Sequence, residues 1–346
     1  MTESATLESS AQPVKSLVST TRIPGLYTLE LPTPFPVGTV NAYLAEGDPL
    51  TLIDCGVGYE DGCEALSAAL AELGYRLHDV RRLILTHHHA DHLGLAERVV
   101  AAAGVNAIEV ITHPYTVPHL EAPTQTRTAA TVYTSQLFRE NGVPERIVQL
   151  LAMTDDYFAK LVGTAQVSRT LDESDTLTLA RQTWRVLHTP GHAGGQLCLF
   201  DEASGVLLSS DHVLRDVSSN PLIEPPLTAG KSRPRRLMDY LQHLERVAAL
   251  RPTIAYAGHG APIDDVPALI EKRLIHHQKR ADKVLALLIE KPRTLYDLSV
   301  ALFPHVNELE SYLTLSEALG HLDLLERDSL VSAAQRADGI WVWTAV

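Results

Sequence analysis

The chain has few cysteines and no long apolar run. Its 346 residues include three cysteines, Cys55, Cys63 and Cys198, and no two of them stand in a Cys-x-x-Cys spacing. So small and odd a number excludes a disulfide framework and predicts three reduced thiols that pack as small apolar residues. No apolar stretch approaches the roughly 20 residues that a membrane-spanning helix needs.

The N-terminal end also lacks the pattern of a secretory leader. The opening MTESATLESSAQPVKS contains no basic segment followed by an apolar one, so we predict a cytoplasmic location. The formal net charge is -13, which disfavours general affinity for nucleic acid phosphates or for anionic membranes. This acidic balance weighs against a nuclease without excluding one.

The pattern of apolar residues divides the chain into four parts. Its length predicts two domains, because one compact core seldom accommodates 346 residues. Residues 1–17 are polar and are predicted to be a flexible lead. Short strands and helices alternate over 18–262 and predict an α/β catalytic domain, which a helical insertion interrupts at about 113–163. Three helices and two terminal strands predict a winged-helix-like module over 263–346.

Individual elements follow from the spacing of the apolar residues. Helices are predicted over 61–73, 126–141, 144–153, 155–162, 235–250, 266–289 and 308–326. The segment TLYD at 294–297 resembles a capping box, which predicts that another short helix begins there.

The most informative segment is HHHADH, which directly follows an apolar strand. Its pattern H-x-H-x-D-H is formed by His87, His89, Asp91 and His92. Imidazoles and carboxylates are groups that zinc accepts as ligands, and a protein core cannot bury four of them cheaply. The spacing therefore predicts a metal site, and the alternative is a solvated histidine-rich loop. His88 falls outside the pattern and is predicted to be structural or solvent-exposed.

Three further ligand-type side chains each occur where a predicted strand ends. His192 lies in TPGHAGG, Asp211 ends the apolar run GVLLSSD, and His259 lies in AGHG. Turns rich in glycine and proline at strand ends are where a rigid sheet presents side chains to a site. These three residues are therefore candidates to join the histidine segment.

Together the seven side chains resemble, in order and in local context, the ligand series of the metallo-β-lactamase superfamily. The resemblance covers about residues 25–262 and implies a four-layer αβ/βα sandwich with two metal ions at one edge of the sheets. The ligands it implies are His87, His89 and His192 for one ion, Asp91, His92 and His259 for the other, and Asp211 as the bridge. Asp54, in LIDCG, matches the first motif of the family and is implied to orient a ligand from behind.

The resemblance implies a hydrolase in which two cations carry the chemistry. Two ions a few ångströms apart lower the pKa of a shared water to about neutral, which provides a metal-bridging hydroxide at pH 7. One ion can also polarise a carbonyl or phosphoryl oxygen. Asp91 is a candidate to accept or relay a proton during turnover. Zinc is the predicted metal, and iron or manganese can also occupy such sites.

Departures from related families narrow the substrate. Class B lactamases typically have cysteine or serine where this chain has Asp211, so β-lactamase is the weaker alternative. Leu214 stands where acyl-homoserine lactonases usually carry tyrosine. The segment after Asp211 also lacks the Cys-Gly-Arg of glyoxalase II. These departures disfavour the specialised substrates of all three families.

The overall resemblance is greatest to the lactamase-like beta-2 group of hydrolases. That group shares the Ala-Gly-His-Gly turn, an H-x-x-x-R spacing that falls here on His276 and Arg280, and a C-terminal winged-helix module. Its members are described as ribonucleases in animals and as acyl-carrier thioesterases in fungi. We therefore predict hydrolysis of a small acyl substrate, either a thioester, an ester or a lactone. The alternative is a metal-dependent endoribonuclease or phosphodiesterase.

The C-terminal module has the wrong charge for a DNA-reading domain. Its predicted helix over 308–326 carries the acidic residues Glu308, Glu310, Glu317, Asp323 and Glu326. A helix that reads DNA is usually basic. Nucleic acid is therefore not the predicted partner, and we expect the module to serve in packing or in a homodimer.

Two groups of residues are candidates for substrate contacts. The helical insertion is predicted to be a lid over the metals, with aromatic and sulfur side chains that could shape an apolar acyl pocket, namely Tyr133, Phe138, Met153, Tyr157 and Phe158. The alternative is that they pack the lid helices together. A basic cluster that could bind a carboxylate or a phosphate comprises Lys231, Arg233, Arg235 and Arg236. Its alternative is a solvated loop and helix start.

Overall fold

The structure is a computed structural model that describes residues 16–226, 228 and 230–346. The predicted flexible lead lies outside the described residues except for Ser16 and Leu17. The Ser16 hydroxyl donates to Glu72 Oε2 at 2.6 Å, and the Leu17 N–H donates to Glu72 Oε1 at 3.2 Å. Glu72 therefore anchors the chain just before the first strand begins.

Short runs of β-branched and leucine residues form the first sheet. In spatial order its strands are β1 Val18–Thr20, β2 Leu26–Leu31, β3 Val40–Ala45, β4 Thr51–Ile53, β5 Arg82–Leu85, β6 Glu109–Thr112 and β7 Arg169–Thr170. Neighbours pair antiparallel from β1 to β4 and parallel from β4 to β7. Parallel pairing needs crossover connections, and the first of these contain α1 Glu60–Glu72, α2 Ala90–Leu93 and α3 Ala96–Ala103.

The second sheet follows later in the chain. Its strands are β8 Thr176–Leu179, β9 Gln182–His188, β10 Leu197–Asp201, β11 Val206–Ser210 and β12 Ile254–Ala257. Their spatial order is β12-β11-β10-β9-β8. The β11–β12 pair is parallel, because the chain returns between these strands through a helix, α7 Arg236–Ala249.

The two sheets pack face to face and helices cover their outer faces. Ile84 and Ile111 of the first sheet and Trp184 and Leu199 of the second belong to one buried inner core. The outer face of the first sheet packs against α1 and α3. That of the second packs against α7 and the long helix α8, Val266–Glu290. This arrangement confirms the predicted four-layer αβ/βα sandwich.

The remaining helices lie in the insertion and after the sandwich. The insertion contains α4 Val117–Glu121, α5 Pro123–Glu140 and α6 Glu145–Phe158, and α8 is followed by α9 Leu295–Leu302 and α10 Ser311–Arg327. A terminal antiparallel pair consists of β13 Val331–Gln335 and β14 Trp341–Ala345. The helices and hairpin predicted for the C-terminal module are therefore present, while its assignment as a winged helix stays a prediction.

One detail of the predicted helices changes. The separate helices over 144–153 and 155–162 are one helix, α6, followed by a 3-10 turn at Ala159–Leu161. No proline or glycine divides that stretch, and Thr154 bonds to Leu150 O within the helix at 2.9 Å. The capping box is confirmed, since Thr294 Oγ1 accepts from the Asp297 N–H and Asp297 accepts in return from the Thr294 N–H. No helix in the described parts is long and apolar enough to cross a membrane.

The insertion and the C-terminal module share one hydrophobic core. Phe138 of α5 and Val148 of α6 are buried in the same cluster as Val284 of α8, Leu298 of α9 and Leu322 of α10. The body of the insertion is thus packed against the last quarter of the chain. Two parts of the insertion contact the sandwich near the histidine segment. His119 of α4 stacks on His88, and Leu161 O at the 3-10 turn accepts from the Gly58 N–H at 3.0 Å. The insertion is therefore held as part of a helical unit.

A pair of buried histidines lies where this helical unit meets the sandwich. His277 Nδ1 is 3.4 Å from His321 Nε2, and His321 Nδ1 is 2.7 Å from the backbone oxygen of Glu317. Burial and the neighbouring His321 lower the pKa of His277 to about 3, and burial lowers the pKa of His321 to about 4. Both rings are therefore neutral over the physiological pH range.

This pair predicts a loss of stability in mild acid. An unfolded histidine binds a proton near pH 6.5, whereas folded His321 does so only near 4. Protons therefore bind preferentially to the unfolded chain between these values, and the free energy of unfolding falls as the pH is lowered from 6.5 towards 4. At pH 5 the loss is about 2 kcal/mol. Urea unfolding of wild type and His321→Gln at pH 7 and pH 5 measures it. We expect the stability difference between them to narrow at pH 5, and an unchanged difference would contradict the prediction.

Candidate metal centre

Three histidines direct nitrogen atoms at one another at the edge of the sheets. His89 Nδ1 lies 3.1 Å from His87 Nε2 and 2.8 Å from His192 Nε2. Burial, reinforced by the neighbouring histidines, lowers the pKa of all three rings, that of His89 to about 3. In a tetrahedral zinc site with Zn–N bonds of 2.0–2.1 Å, ligand nitrogens lie roughly 3.3 Å apart. These neutral rings thus have the spacing to bind one cation.

A second group lies beside the first and contains Asp91, His92 and His259, whose ligand-type atoms all lie within 4.8 Å of one another. His259 Nε2 is 3.3 Å from Asp91 Oδ2. Burial lowers the pKa of His259, but Asp211 and Asp91 outweigh it and raise that pKa to about 10. Carboxylates around His92 likewise overcome burial and raise its pKa well above the usual value. The group thus favours positive charge, whether from protons or from a cation.

Asp211 lies between the two groups. Its Oδ2 is 3.5 Å from His192 Nε2 and 3.4 Å from His259 Nε2, while its Oδ1 is 3.3 Å from His92 Nε2. Although burial opposes ionisation, His92 and His259 hold the pKa of Asp211 well below its usual range. Within the part of the chain that the structure describes, Asp211 Oδ1 and His92 Nε2 are also buried without a hydrogen-bond partner. Buried polar atoms rarely lack a partner, so the donor set fits bound metal, and Asp211 faces both groups.

Asp54 holds one of these histidines from behind. Its Oδ2 is 2.8 Å from His92 Nδ1 and accepts from the Thr86 hydroxyl at 2.7 Å, and its Oδ1 accepts from the Thr86 N–H at 2.8 Å. The bond at Nδ1 leaves His92 Nε2 free to face Asp211. Asp54 adopts a left-handed φ of 58°, which aspartate tolerates better than most residues. The positioning role implied for Asp54 fits this geometry.

Backbone oxygens, which sequence reasoning missed, support two other histidines. His192 Nδ1 is 3.1 Å from Asn220 O, and His259 Nδ1 is 2.7 Å from Thr39 O. Each bond fixes the tautomer that leaves Nε2 directed into the site. Carbonyl groups have no side-chain signature, so nothing in the sequence marks Thr39 or Asn220 for this task.

Strand β3 also holds the turn that carries His259. Asn41 Nδ2 donates to Ala257 O at 3.0 Å and to Gly260 O at 2.9 Å, and the Tyr43 hydroxyl donates to Ala257 O at 2.6 Å. The turn itself requires Gly258, because a Cβ there would lie 2.0 Å from Asp211 Oδ1. In the sequence, the signal for this role was Asn41, a polar residue within the otherwise mostly apolar run VNAYLA of β3.

His88 turns away from both groups. Its ring stacks on His119 with centroids 3.9 Å apart, and its Nε2 lies 3.6 Å from Glu224 Oε1. The side chain is 13% exposed. Of the two alternatives for His88, the packed structural one fits this position.

Among the aromatic residues predicted to shape a pocket, Phe138 is buried and Tyr133, Tyr157 and Phe158 are partly or largely exposed. Phe138 is 2% exposed and packs edge-on against Tyr312 inside the helical core, so the expectation that it shapes a substrate pocket is replaced by a packing role. Tyr133 and Lys231 line an open groove of about 400 Å³. Tyr157 is 53% exposed. Its neighbour Phe158 contacts Phe35 of the β2–β3 loop edge-on, with centroids 5.4 Å apart.

The arginines of the basic cluster have carboxylate partners. Arg233 donates to both oxygens of Asp323 at 2.8 and 2.6 Å, and Arg235 donates to Glu326 at 2.6 Å. Arg236 is buried against Glu224. We therefore replace the predicted anion clamp with a structural role for Arg233 and Arg235. Their charges are neutralised by the acidic face of α10.

Comparison with known proteins agrees with this geometry. The sequence model of the metallo-beta-lactamase superfamily matches residues 35–259. A Bacillus subtilis (strain 168) protein named "Probable metallo-hydrolase YqjP" is 37% identical over 316 residues, which span 91% of this chain and 97% of that protein. The chain belongs to the metallo-beta-lactamase superfamily.

Solved structures and a more distant relative extend the comparison. A metallo-beta-lactamase family protein from Thermus thermophilus is 33% identical, with a TM-score of 0.79 over 93% of this chain and 99% of that chain. A beta-lactamase domain protein from Burkholderia ambifaria is 25% identical, with a TM-score of 0.82 over 97% and 96%. An Aspergillus fumigatus protein named atrochrysone carboxyl ACP thioesterase is 23% identical over 251 residues, 72% of this chain but 44% of that protein.

Proposed function

We propose that this chain is a hydrolase that holds two metal ions, zinc first among the candidates, and cleaves a small acyl substrate such as a thioester, an ester or a lactone. The observation that carries the proposal is the position of Asp211. Its two oxygens face ligand-type nitrogens of both groups at 3.3–3.5 Å, and Oδ1 has no hydrogen-bond partner among the described residues. Membership of the superfamily and the name of the Bacillus subtilis relative support it.

The residues of the site have separate tasks in this proposal. When bound, two such cations ionise a shared water near neutral pH and polarise the acyl oxygen. The Asp54 carboxylate and the carbonyls of Thr39 and Asn220 hold three of the histidine rings in the tautomer that can bind a metal. These oxygens fix the orientation of the rings before any substrate arrives.

Asp91 is the proposed proton acceptor or relay. Burial raises its pKa, but His92 and His259 outweigh this effect and lower that pKa below its usual value. The carboxylate is therefore ionised at neutral pH and can accept a proton, and its side chain is 12% exposed.

Three observations favour an acyl substrate. Phe35, Tyr157 and Phe158 form an apolar patch where the β2–β3 loop meets the end of the insertion. The β2–β3 loop, which carries Phe35, leads into Thr39, whose backbone oxygen holds His259. Arg233 and Arg235, candidates for phosphate binding, are paired with acidic residues. The Aspergillus fumigatus relative is named as an acyl-carrier thioesterase.

A substrate panel tests the proposal. Zinc-loaded protein is assayed on acyl-thioesters, aryl esters, lactones, a β-lactam and single-stranded RNA, beside His87→Ala and the control His78→Ala. His78 has an exposed side chain in the 3-10 turn that follows α1. We expect acyl hydrolysis in wild type and His78→Ala and a loss of more than about 100-fold in His87→Ala, which exceeds the effect of losing a ligand's supporting partner. RNA cleavage without acyl hydrolysis would overturn the acyl assignment.

A further inference from the structure

The chain between β11 and α7 touches both the metal centre and the C-terminal module. We propose that the C-terminal module positions the candidate metal ligand His192, and that it acts through residues 218–224, which we call the linking segment. Asn220 is the residue that joins the two sides. The inference rests on the proposed function, because it concerns how the first group of ligands is held.

On its inner side the linking segment holds the turn that carries His192. The carbonyl of Asn220 is 3.1 Å from His192 Nδ1. Four residues further on, Glu224 Oε1 accepts from the Gly194 N–H at 2.9 Å, just after the ligand. Both bonds act on the TPGHAGG turn, so the orientation of the His192 ring depends on where the linking segment lies.

On its outer side the same segment is held by α8 and α10. Asn220 Nδ2 donates to Leu313 O at 3.0 Å, and the Ile223 N–H donates to Ser316 Oγ at 3.3 Å. The hydroxyl of Tyr312 donates to Ile223 O. The Ser218 hydroxyl is 3.1 Å from His277 Nε2 on α8. Four contacts therefore tie seven residues to the C-terminal module.

The segment has no regular structure of its own to keep its place. Residues 217–226 belong to no helix or strand, so their carbonyl positions are set by what binds them. Further along, Arg233 and Arg235 pair with Asp323 and Glu326 of α10, which fixes the chain again before α7. The connection between β11 and α7 begins at the candidate ligand Asp211. The ion pairs of Arg233 and Arg235 hold its other end against α10.

Asn220 is the point at which both sides meet in one residue. Its backbone oxygen faces His192 while its side-chain amide reaches α10. Asn220→Ala keeps the backbone carbonyl that faces His192. It removes the side-chain bond to Leu313 O that holds this carbonyl in position. Outer partners of metal-binding histidines typically contribute 10- to 100-fold to metal affinity. We expect an effect of this size on the site that contains His192 and none on the site that contains His259.

Metal titration of the full-length protein tests this inference. Two backgrounds isolate the two groups: His259→Ala retains the three-histidine group, and His89→Ala retains the group around Asp91. Metal-stripped protein is titrated with Zn²⁺ against a chromophoric chelator, and with Co²⁺ to record the ligand-field spectrum. Asn220→Ala and Ser316→Ala are introduced into each background. The matched control is Ser299→Ala, which removes a buried hydroxyl bond to Thr314 within the same module.

We expect Asn220→Ala to weaken Zn²⁺ binding about 10- to 100-fold in the His259→Ala background and to change the Co²⁺ spectrum there. Ser316→Ala should act in the same direction. Neither should alter binding in the His89→Ala background, and Ser299→Ala should alter neither. Unchanged affinity in Asn220→Ala would overturn this inference alone, as would equal losses in both backgrounds or in Ser299→Ala. Wild-type protein that bound no cation would instead overturn the proposed function and this inference with it.

Discussion

Asp211→Ala is expected to abolish tight binding of both cations and to lower acyl hydrolysis by more than about 100-fold, beyond the loss of an outer partner. The carboxylate faces His92, His192 and His259 at 3.3–3.5 Å, so its removal takes an anion from both groups at once. The loss of any one histidine leaves the other group complete. Elemental analysis and the hydrolysis assay measure the two effects.

Asp201→Ala is the matched control for this substitution. Asp201 is also a buried aspartate next to β11, but it lies at the opposite end of the β10–β11 hairpin and accepts bonds from Ala203 and Ser204. Its loss is expected to lower stability while both cations remain bound. An Asp211→Ala protein that retained two tightly bound ions per chain would contradict the bridging position.

Removal of the metals is expected to inactivate the protein and to destabilise its fold. A ligand that binds only the folded state stabilises it by about 4 kcal/mol when present at 1,000 times its Kd. Here Asp54, Asp91 and Asp211 are buried close to His92, and a bound cation would balance their negative charge. Denaturant unfolding with and without excess Zn²⁺, after exhaustive chelation, measures the difference. Activity should return when Zn²⁺ is restored.

His87→Ala provides the control for metal removal. It lacks one ligand of the first group, so chelation should cost it less stability than it costs the wild type. Hydrolysis that continued undiminished after thorough chelation of the wild type would refute a metal-dependent reaction. Equal stability with and without Zn²⁺ would refute metal binding itself.

The sequence predicted the candidate ligands because their types and local settings are recorded in short segments. Each of His192, Asp211 and His259 lies within four residues of the end of a strand, and a sheet brings strand ends to one edge. The structure places all three beside the histidine segment. Short-range pattern was sufficient for this part of the site.

The supports of those ligands could not be predicted in the same way. Thr39 meets His259 across 220 positions, and Asn220 meets His192 across 28, and both do so through backbone oxygens. The basic cluster failed for a related reason: Arg233 is paired with Asp323, 90 positions away. A local pattern of charge does not reveal whether distant residues neutralise it.

The core shared by the insertion and the last quarter of the chain also affects how the protein folds during synthesis. During synthesis Phe138 and Val148 leave the ribosome long before Leu298 and Leu322, the residues that cover them. Until then an apolar helical surface stays open to solvent, which is the condition under which chains aggregate. A polypeptide cut at residue 262 would keep that surface uncovered, so we expect it to aggregate more readily than the full chain.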